Sequence, residues 1–399
     1  MSRNTLEEKT ATQWEEVIKM AKTAKKKIGI VRTDNHSLLY AACWGPYDRY
    51  QYRLAGAQLY IIENNKDGPY KHFRLEDAGN TPIHLENDVH MRNIPRDDTE
   101  IAGCWNVPLE EDRLSKEQFG RAFGCKVYDK LEDMADPNLF DGIAIGNCSF
   151  MAEDHVEYAL PFIRQGIAMF IDKPFADNAA NAKIILDAAR EYNAPIFCSS
   201  ILMFASANRK LKKMNLGDPR LIVSTKSSTM PQRNGSVHTL SNCLGAVWAM
   251  KGSYEIQSIQ YIGNEDGKLG DEEYKEKYGA QPRYGEVYQL LFTDGTVGIL
   301  NCNDFGDYAF RLDAYGSMGT ATEYVVEQTM RSSILEIANE FADMIDTRIP
   351  PFHYDRIFEF VAALDAAEKS RAEGGRPVTI QEIADDVGYL LHRPMQTKY

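Results

Sequence analysis

Between residues 101 and 199, short apolar runs alternate with segments of helical periodicity, and few folds accommodate that order. Residues 101–105, 140–145, 168–171 and 195–199 are expected strands, and 115–123, 153–165 and 178–192 expected helices. Strands separated by helical crossovers pair in parallel. Runs that are apolar throughout suit strands buried on both faces. Gly166 stops one helix and Asn193-Ala194-Pro195 the next. Upstream, Ile28-Gly29-Ile30-Val31 is a strand of the same kind, followed by a polar turn, Arg32–Ser37, and a helix opening at Leu38. The first half of the chain is therefore expected to be α/β, a doubly wound parallel sheet.

The pattern changes near residue 205. Residues 221–228, 254–262, 285–292, 298–303 and 308–315 are expected strands, and Asp294-Gly295 joins two of them as a hairpin turn. Helices are expected at 238–250, 332–346 and 356–372. This is an α+β domain with a large, mainly antiparallel sheet. A chain of 399 residues exceeds one ordinary core. The expected division is an N-terminal helical arm (1–26), the α/β domain (27–200) with an insertion at 45–98, and the α+β domain (201–399). A hairpin is expected around residues 59–62.

Composition narrows the function classes. With 44% hydrophobic and 26% charged residues, neither disorder nor a fibrous chain is expected. A net charge of −13 repels phosphate backbones, so nucleic acid and anionic membrane are not expected partners. The seven cysteines include no Cys-x-x-Cys pair and read as buried free thiols. The charged N-terminal segment has no apolar core of the signal-peptide type. No stretch approaches the roughly 20 apolar residues of a membrane span. A cytoplasmic protein is expected. His84, Glu86, Asp88 and His90 alternate like metal ligands, but one-face alternation also describes a solvated strand, and no metal is expected.

Asp172-Lys173-Pro174 stands where a buried parallel strand ends, the end at which open α/β sheets take ligands. Ammonium groups resist burial, so a lysine there faces a ligand or forms part of a surface turn. Asp172 beside it would keep the lysine charged and oriented.

The order His155, helix, Gly166, strand, Asp172-Lys173-Pro174 resembles the Gfo/Idh/MocA family of sugar and polyol oxidoreductases, where a histidine opens the helix before a Glu-Lys-Pro tripeptide. Ala363, Ala366, Ala367 and Ser370, then Gly375-Arg376-Pro377-Val378, resemble the family's tail. The resemblance covers most of residues 27–380. It implies a Rossmann-type first domain, NAD or NADP as cofactor, a carbohydrate-like small-molecule substrate, and a homo-oligomer, dimer or tetramer. Asn234-Gly235-Ser236-Val237-His238 resembles the family's Asp-x-Gly-x-His element. By that resemblance Lys173 polarises the reacting oxygen, His238 is the general acid/base, and Asn234 orients it. Asparagine carries no charge, so it can fix the imidazole ring but not stabilise an imidazolium as aspartate would.

The family's glycine fingerprint is missing. Its place is taken by Arg32-Thr33-Asp34-Asn35-His36-Ser37, a glycine-poor turn that marks a subgroup. Thr33, Asn35, His36 and Ser37 are capable donors to a diphosphate. Asp34 opposes one, since a carboxylate about 4 Å from a phosphate oxygen costs about 1 kcal/mol in water and about 4 near a protein surface. Arg32 could offset the charge of Asp34. Asn106 ends the second strand where an adenosine ribose would lie, and Asn147 ends the third where a nicotinamide ribose would lie. The expected cofactor contacts are thus Arg32, Thr33, Asp34, Asn35, His36, Asn106, Asn147, Asp172 and Lys173. The alternative is a non-catalytic or redox-neutral member of the same scaffold, eliminating or cleaving glycosides, with altered or lost cofactor binding.

Overall fold

The structure, a computed structural model, describes residues 25–33, 35–56, 95–107, 114–146, 152–227, 237–252, 255–263, 273, 276, 285–303, 309–325 and 327–392. The expected N-terminal helix, the hairpin near 59–62 and the His84–His90 alternation lie outside these residues. So do Asp34, Asn147, Asn234 and the side chains of Asn35 and His238.

Six strands form the first sheet: β1 (Lys26–Val31), β2 (Thr99–Trp105), β3 (Lys126–Val127), β4 (Gly142–Ile145), β5 (Ala168–Asp172) and β6 (Ile196–Ser199). Their order is β3-β2-β1-β4-β5-β6, with every neighbouring pair parallel. Every residue of β4, β5 and β6 is buried, as their unbroken apolar sequences require. The order reverses between β1 and β4, and their carboxyl ends flank a crevice of the kind that takes ligands. Helices α1 (Asn35–Trp44), α2 (Lys116–Phe123), α3 (His155–Ile163) and α4 (Ala179–Glu191) connect the strands. Local chemistry sets their ends. The Ser115 and Asn178 side chains accept the amides of Gln118 and Asn181, and Gly124 closes α2 at φ 63°.

After α5 (Ser206–Lys213), the second sheet comprises β7 (Pro219–Ser227), β8 (Ile256–Tyr261), β9 (Gly285–Phe292), β10 (Val297–Asn303), β11 (Ala309–Gly316), β12 (Gly319–Val325) and β13 (Val378–Thr379). The order is β12-β11-β7-β10-β9-β8-β13, antiparallel throughout except for the β7–β10 pair. The Asp294-Gly295 turn joins β9 to β10 with Gly295 at φ 82°, a conformation that favours glycine. Strand β12 is absent from the sequence reading. It lies at the sheet edge, where Thr320, Thr322 and Tyr324 are exposed, so no apolar alternation marks it. Helix α6 (Val237–Lys251) covers the inner face of β7 and β10.

The expected cut at residue 200 is not a cut in the packing. Helix α7 (Glu327–Thr347), from the far half of the chain, lies against the first sheet. The Trp44 indole N–H donates to Ala338 O at 2.9 Å, and Phe341 packs 5.3 Å from Trp44 and 6.0 Å from Phe170. Gly142 permits this approach, since a Cβ there would meet Phe341 at 2.8 Å. Helix α8 (Tyr354–Ala372) then packs on β8 and α4. Among the described residues no helix is long and apolar enough to cross a membrane, and no cluster of His, Cys, Asp and Glu suits a metal ion.

Candidate active site

Lys173 follows the last residue of β5 and is only 4% exposed. Its peptide bond to Pro174 is cis. The loop it opens is held from α3. His155, fully buried at the first position of that helix, donates from Nδ1 to Phe175 O at 3.0 Å. The histidine and lysine that the sequence links by spacing are therefore linked in space.

Asp172 is bonded through both carboxylate oxygens to α1. Its Oδ2 accepts from His36 Nδ1 at 2.5 Å and its Oδ1 from the Tyr40 hydroxyl at 3.2 Å. Burial and the Asp172 charge push the Tyr40 phenol far above its usual pKa, so it remains a donor. Asp172 thus ties the first turns of α1 to the end of β5.

At the β1–β4 crevice, Arg32 adopts φ 64° and is 5% exposed. Its guanidinium pairs with Asp154, at the start of α3, at 2.5 Å and lies 5.7 Å over the Tyr158 ring. The Ser37 hydroxyl donates to the Arg32 carbonyl. Thr33 and Asn106 are turned into the protein. The Asn106 amide donates to Thr33 Oγ1 at 2.7 Å and Leu114 O at 2.8 Å, and its oxygen accepts the Val107 N–H at 3.0 Å. The Thr33 hydroxyl donates to Leu114 O at 2.9 Å. Both amide protons of Asn106 are thus engaged, and Thr33 and Asn106 form a strut beneath the turn. At the same turn the first amides of α1 have no partner within the helix, while the Arg32 guanidinium is held by Asp154 and the His36 Nδ1–H by Asp172.

The second domain meets the same edge. Asp172 pairs with Ser199 across β5 and β6, so Lys173 and Ser200 are neighbours one residue beyond. The Ser200 hydroxyl donates to Asn242 Oδ1 on α6 at 3.0 Å. His238 lies one helical turn before Asn242 on the same helix.

Sequence reasoning missed Lys226. It lies on β7, 2% exposed, with its ammonium 5.6 Å over the Phe310 ring. Burial and then the Lys173 charge push its pKa down to about 7, opposed by the thiols of Cys243 and Cys302. The signal was available, for Lys226 shares the inward phase of β7 with Ile222 and Ser224. A stability prediction follows. Unfolded, this amine keeps its proton to about pH 10.4. Folded, it releases it near 7, so the unfolded chain binds more protons between these values and stability rises with pH across that window. Lys226→Met is expected to raise the denaturation midpoint at neutral pH and to flatten the rise towards about pH 10. Urea titrations across that range check this, and a variant keeping the wild-type slope contradicts it.

Residues 89–199 match the family model described as an oxidoreductase family with an NAD-binding Rossmann fold. The match begins after β1 and the Arg32–Ser37 turn, the segment that departs from the glycine fingerprint. No curated protein matches the chain by sequence. Among solved structures, a "probable dehydrogenase" from Thermotoga maritima is 18% identical with a TM-score of 0.63, over 90% of this chain and 99% of that one. The scyllo-inositol dehydrogenase of Lactobacillus casei with NAD(H) and scyllo-inositol is 13% identical, TM-score 0.60, over 90% and 99%. The myo-inositol dehydrogenase of the same organism with NAD(H) and myo-inositol is 15% identical, TM-score 0.59, over 89% and 96%. At such identities these likenesses establish the fold. The matched segment, residues 89–199, carries the buried Lys173 and its His155 clamp, and over this segment the chain is similar to an oxidoreductase family with an NAD-binding Rossmann fold.

Proposed function

We propose that the protein is an NAD(P)-dependent oxidoreductase acting on a sugar, polyol or related hydroxyl compound at the carboxyl end of the first sheet. The observation that supports this reading is the burial of Lys173 at the end of β5, with α6, the helix that carries His238, bonded through Asn242 to Ser200 at the end of β6. Lys173 donates to the reacting oxygen and stabilises the negative charge that develops there. His238 accepts the hydroxyl proton and Asn234 fixes its ring. A nicotinamide cofactor held in the β1–β4 crevice would supply the redox chemistry there as the hydride acceptor. The solved neighbours with NAD(H) and inositols support a polyol substrate.

The Arg32–Asp154 bridge across the crevice and the spent Asn106 amide favour a second reading, a redox-neutral or non-catalytic member with altered cofactor binding. Incubation with inositols and sugars in the presence of NAD+ or NADP+ separates the two. Accumulation of reduced nicotinamide supports the first reading; conversion without it, or no conversion, supports the second. If the chemistry is of this type, Asn234→Asp is expected to raise turnover or shift its pH profile, because a carboxylate stabilises imidazolium. Unchanged rates at every pH would remove Asn234 from the site.

The outer face of the second sheet carries the half-buried Leu221, Val223, Leu291, Val297 and Ile299, and self-association through it is part of this proposal. A molar mass of one chain by light scattering contradicts that. Cytoplasmic location is likewise proposed, in keeping with the six described cysteines being free.

A further inference from the structure

Arg32 and Asp154 occupy opposite lips of the crevice, one following β1 and the other following β4, and are separated by 122 residues of sequence. Their side chains meet at 2.5 Å with 5% and 14% exposure. Two features distinguish this contact from an ordinary ion pair. Arg32 holds a left-handed backbone, φ 64°, where glycine is the easier residue. Asp154 precedes α3 with a helical backbone, φ −89° and ψ −9°, so its carboxylate makes no cap bond to that helix and is directed to Arg32 instead. The Tyr158 ring, one turn further along α3, flanks the same guanidinium.

We propose that the Asp154 carboxylate stands in for a diphosphate: it holds Arg32 across the crevice, and a dinucleotide exchanges that carboxylate for its own phosphate oxygens. This rests on the dinucleotide reading above and adds to it the residue that replaces the missing glycines. The planar guanidinium fork matches carboxylate and phosphate oxygens alike. A carboxylate left beside the incoming diphosphate repels it, so exchange requires Asp154 to turn away. A buried ion pair contributes little net stability against its desolvation, so the exchange is not blocked energetically. The bridge lowers apparent affinity by keeping the competent state partly populated.

Calorimetric titration of the full chain with NADH, NADPH and inorganic pyrophosphate tests this in three forms: wild type, Asp154→Ser and Arg32→Gly. Serine removes the competing charge. Glycine suits φ 64° and removes the cation. Asp154→Ser is expected to bind about tenfold tighter, an ordinary coupling between two groups. Arg32→Gly is expected to bind about tenfold more weakly and with a smaller salt dependence. Asp154→Ser binding no probe more tightly, or Arg32→Gly binding as well as wild type, overturns the exchange. If neither dinucleotide binds any form while pyrophosphate follows the expected order, the exchange stands and the dinucleotide reading fails. Should Arg32→Gly not fold, Asp154→Ser alone decides.

Discussion

Replacing Lys173 by methionine is expected to lower turnover of a hydroxyl substrate by about 10²–10³-fold, the loss that follows removal of one preorganised donor to a developing oxyanion. The protein should remain folded. The ammonium is 4% exposed at the end of β5, and methionine fills similar space without a charge to desolvate. Lys173→Arg is not expected to rescue, because the planar guanidinium cannot occupy the position of a compact ammonium in a closed site. Steady-state kinetics with a chosen polyol, beside circular dichroism of each variant, checks both statements. A folded Lys173→Met protein with wild-type kcat/KM would remove Lys173 from the chemistry.

The largest stability effect is expected at a site without catalytic meaning. Arg356 and Glu359, both fully buried on α8, pair at 2.5 Å. Glu359 also accepts the Trp248 indole N–H at 3.1 Å and the Ile256 amide at 2.7 Å, and Arg356 donates to Gly252 O at 2.9 Å. The guanidinium lies 4.6 Å over the Trp248 ring. Glu359→Ala leaves a guanidinium charge and two N–H groups buried without this carboxylate, at a cost of about 3–5 kcal/mol. The unfolding midpoint should fall by about 4–6 °C, because the unfolding entropy scales with the 399 residues of the chain. Glu359→Gln keeps an acceptor and is expected to lose less. Equal midpoints for Glu359→Ala and wild type would show that the pair is not load-sharing between α6, β8 and α8.

What the sequence disclosed follows from how local each signal is. Strands β4, β5 and β6 were legible because a strand buried on both faces must be apolar at every position. Lys173 was legible because a lysine breaks such a run where the sheet ends. The Ser115 and Asn178 caps lie within three residues of the amides they satisfy. The pairing of Arg32 with Asp154, of Asp172 with His36 and of α7 with the first sheet spans more than a hundred residues, and no local pattern encodes it. Lys226 was passed over for a different reason. A lone lysine in a mixed strand reads as solvated until its phase against Ile222 and Ser224 is counted. The turn Arg32–Ser37 showed by its lack of glycine that the family pattern changes there, but not that Thr33 and Asn106 would be joined beneath it.

Thermal unfolding with and without NAD(H) or NADP(H) tests the central claim, that the β1–β4 crevice receives a dinucleotide beside Lys173. A ligand at about 100 times its dissociation constant stabilises the folded state by about 2.7 kcal/mol. A raised midpoint with at least one of the four nucleotides is the predicted result. No shift with any of them, together with no nucleotide released from the purified protein on denaturation, would contradict it.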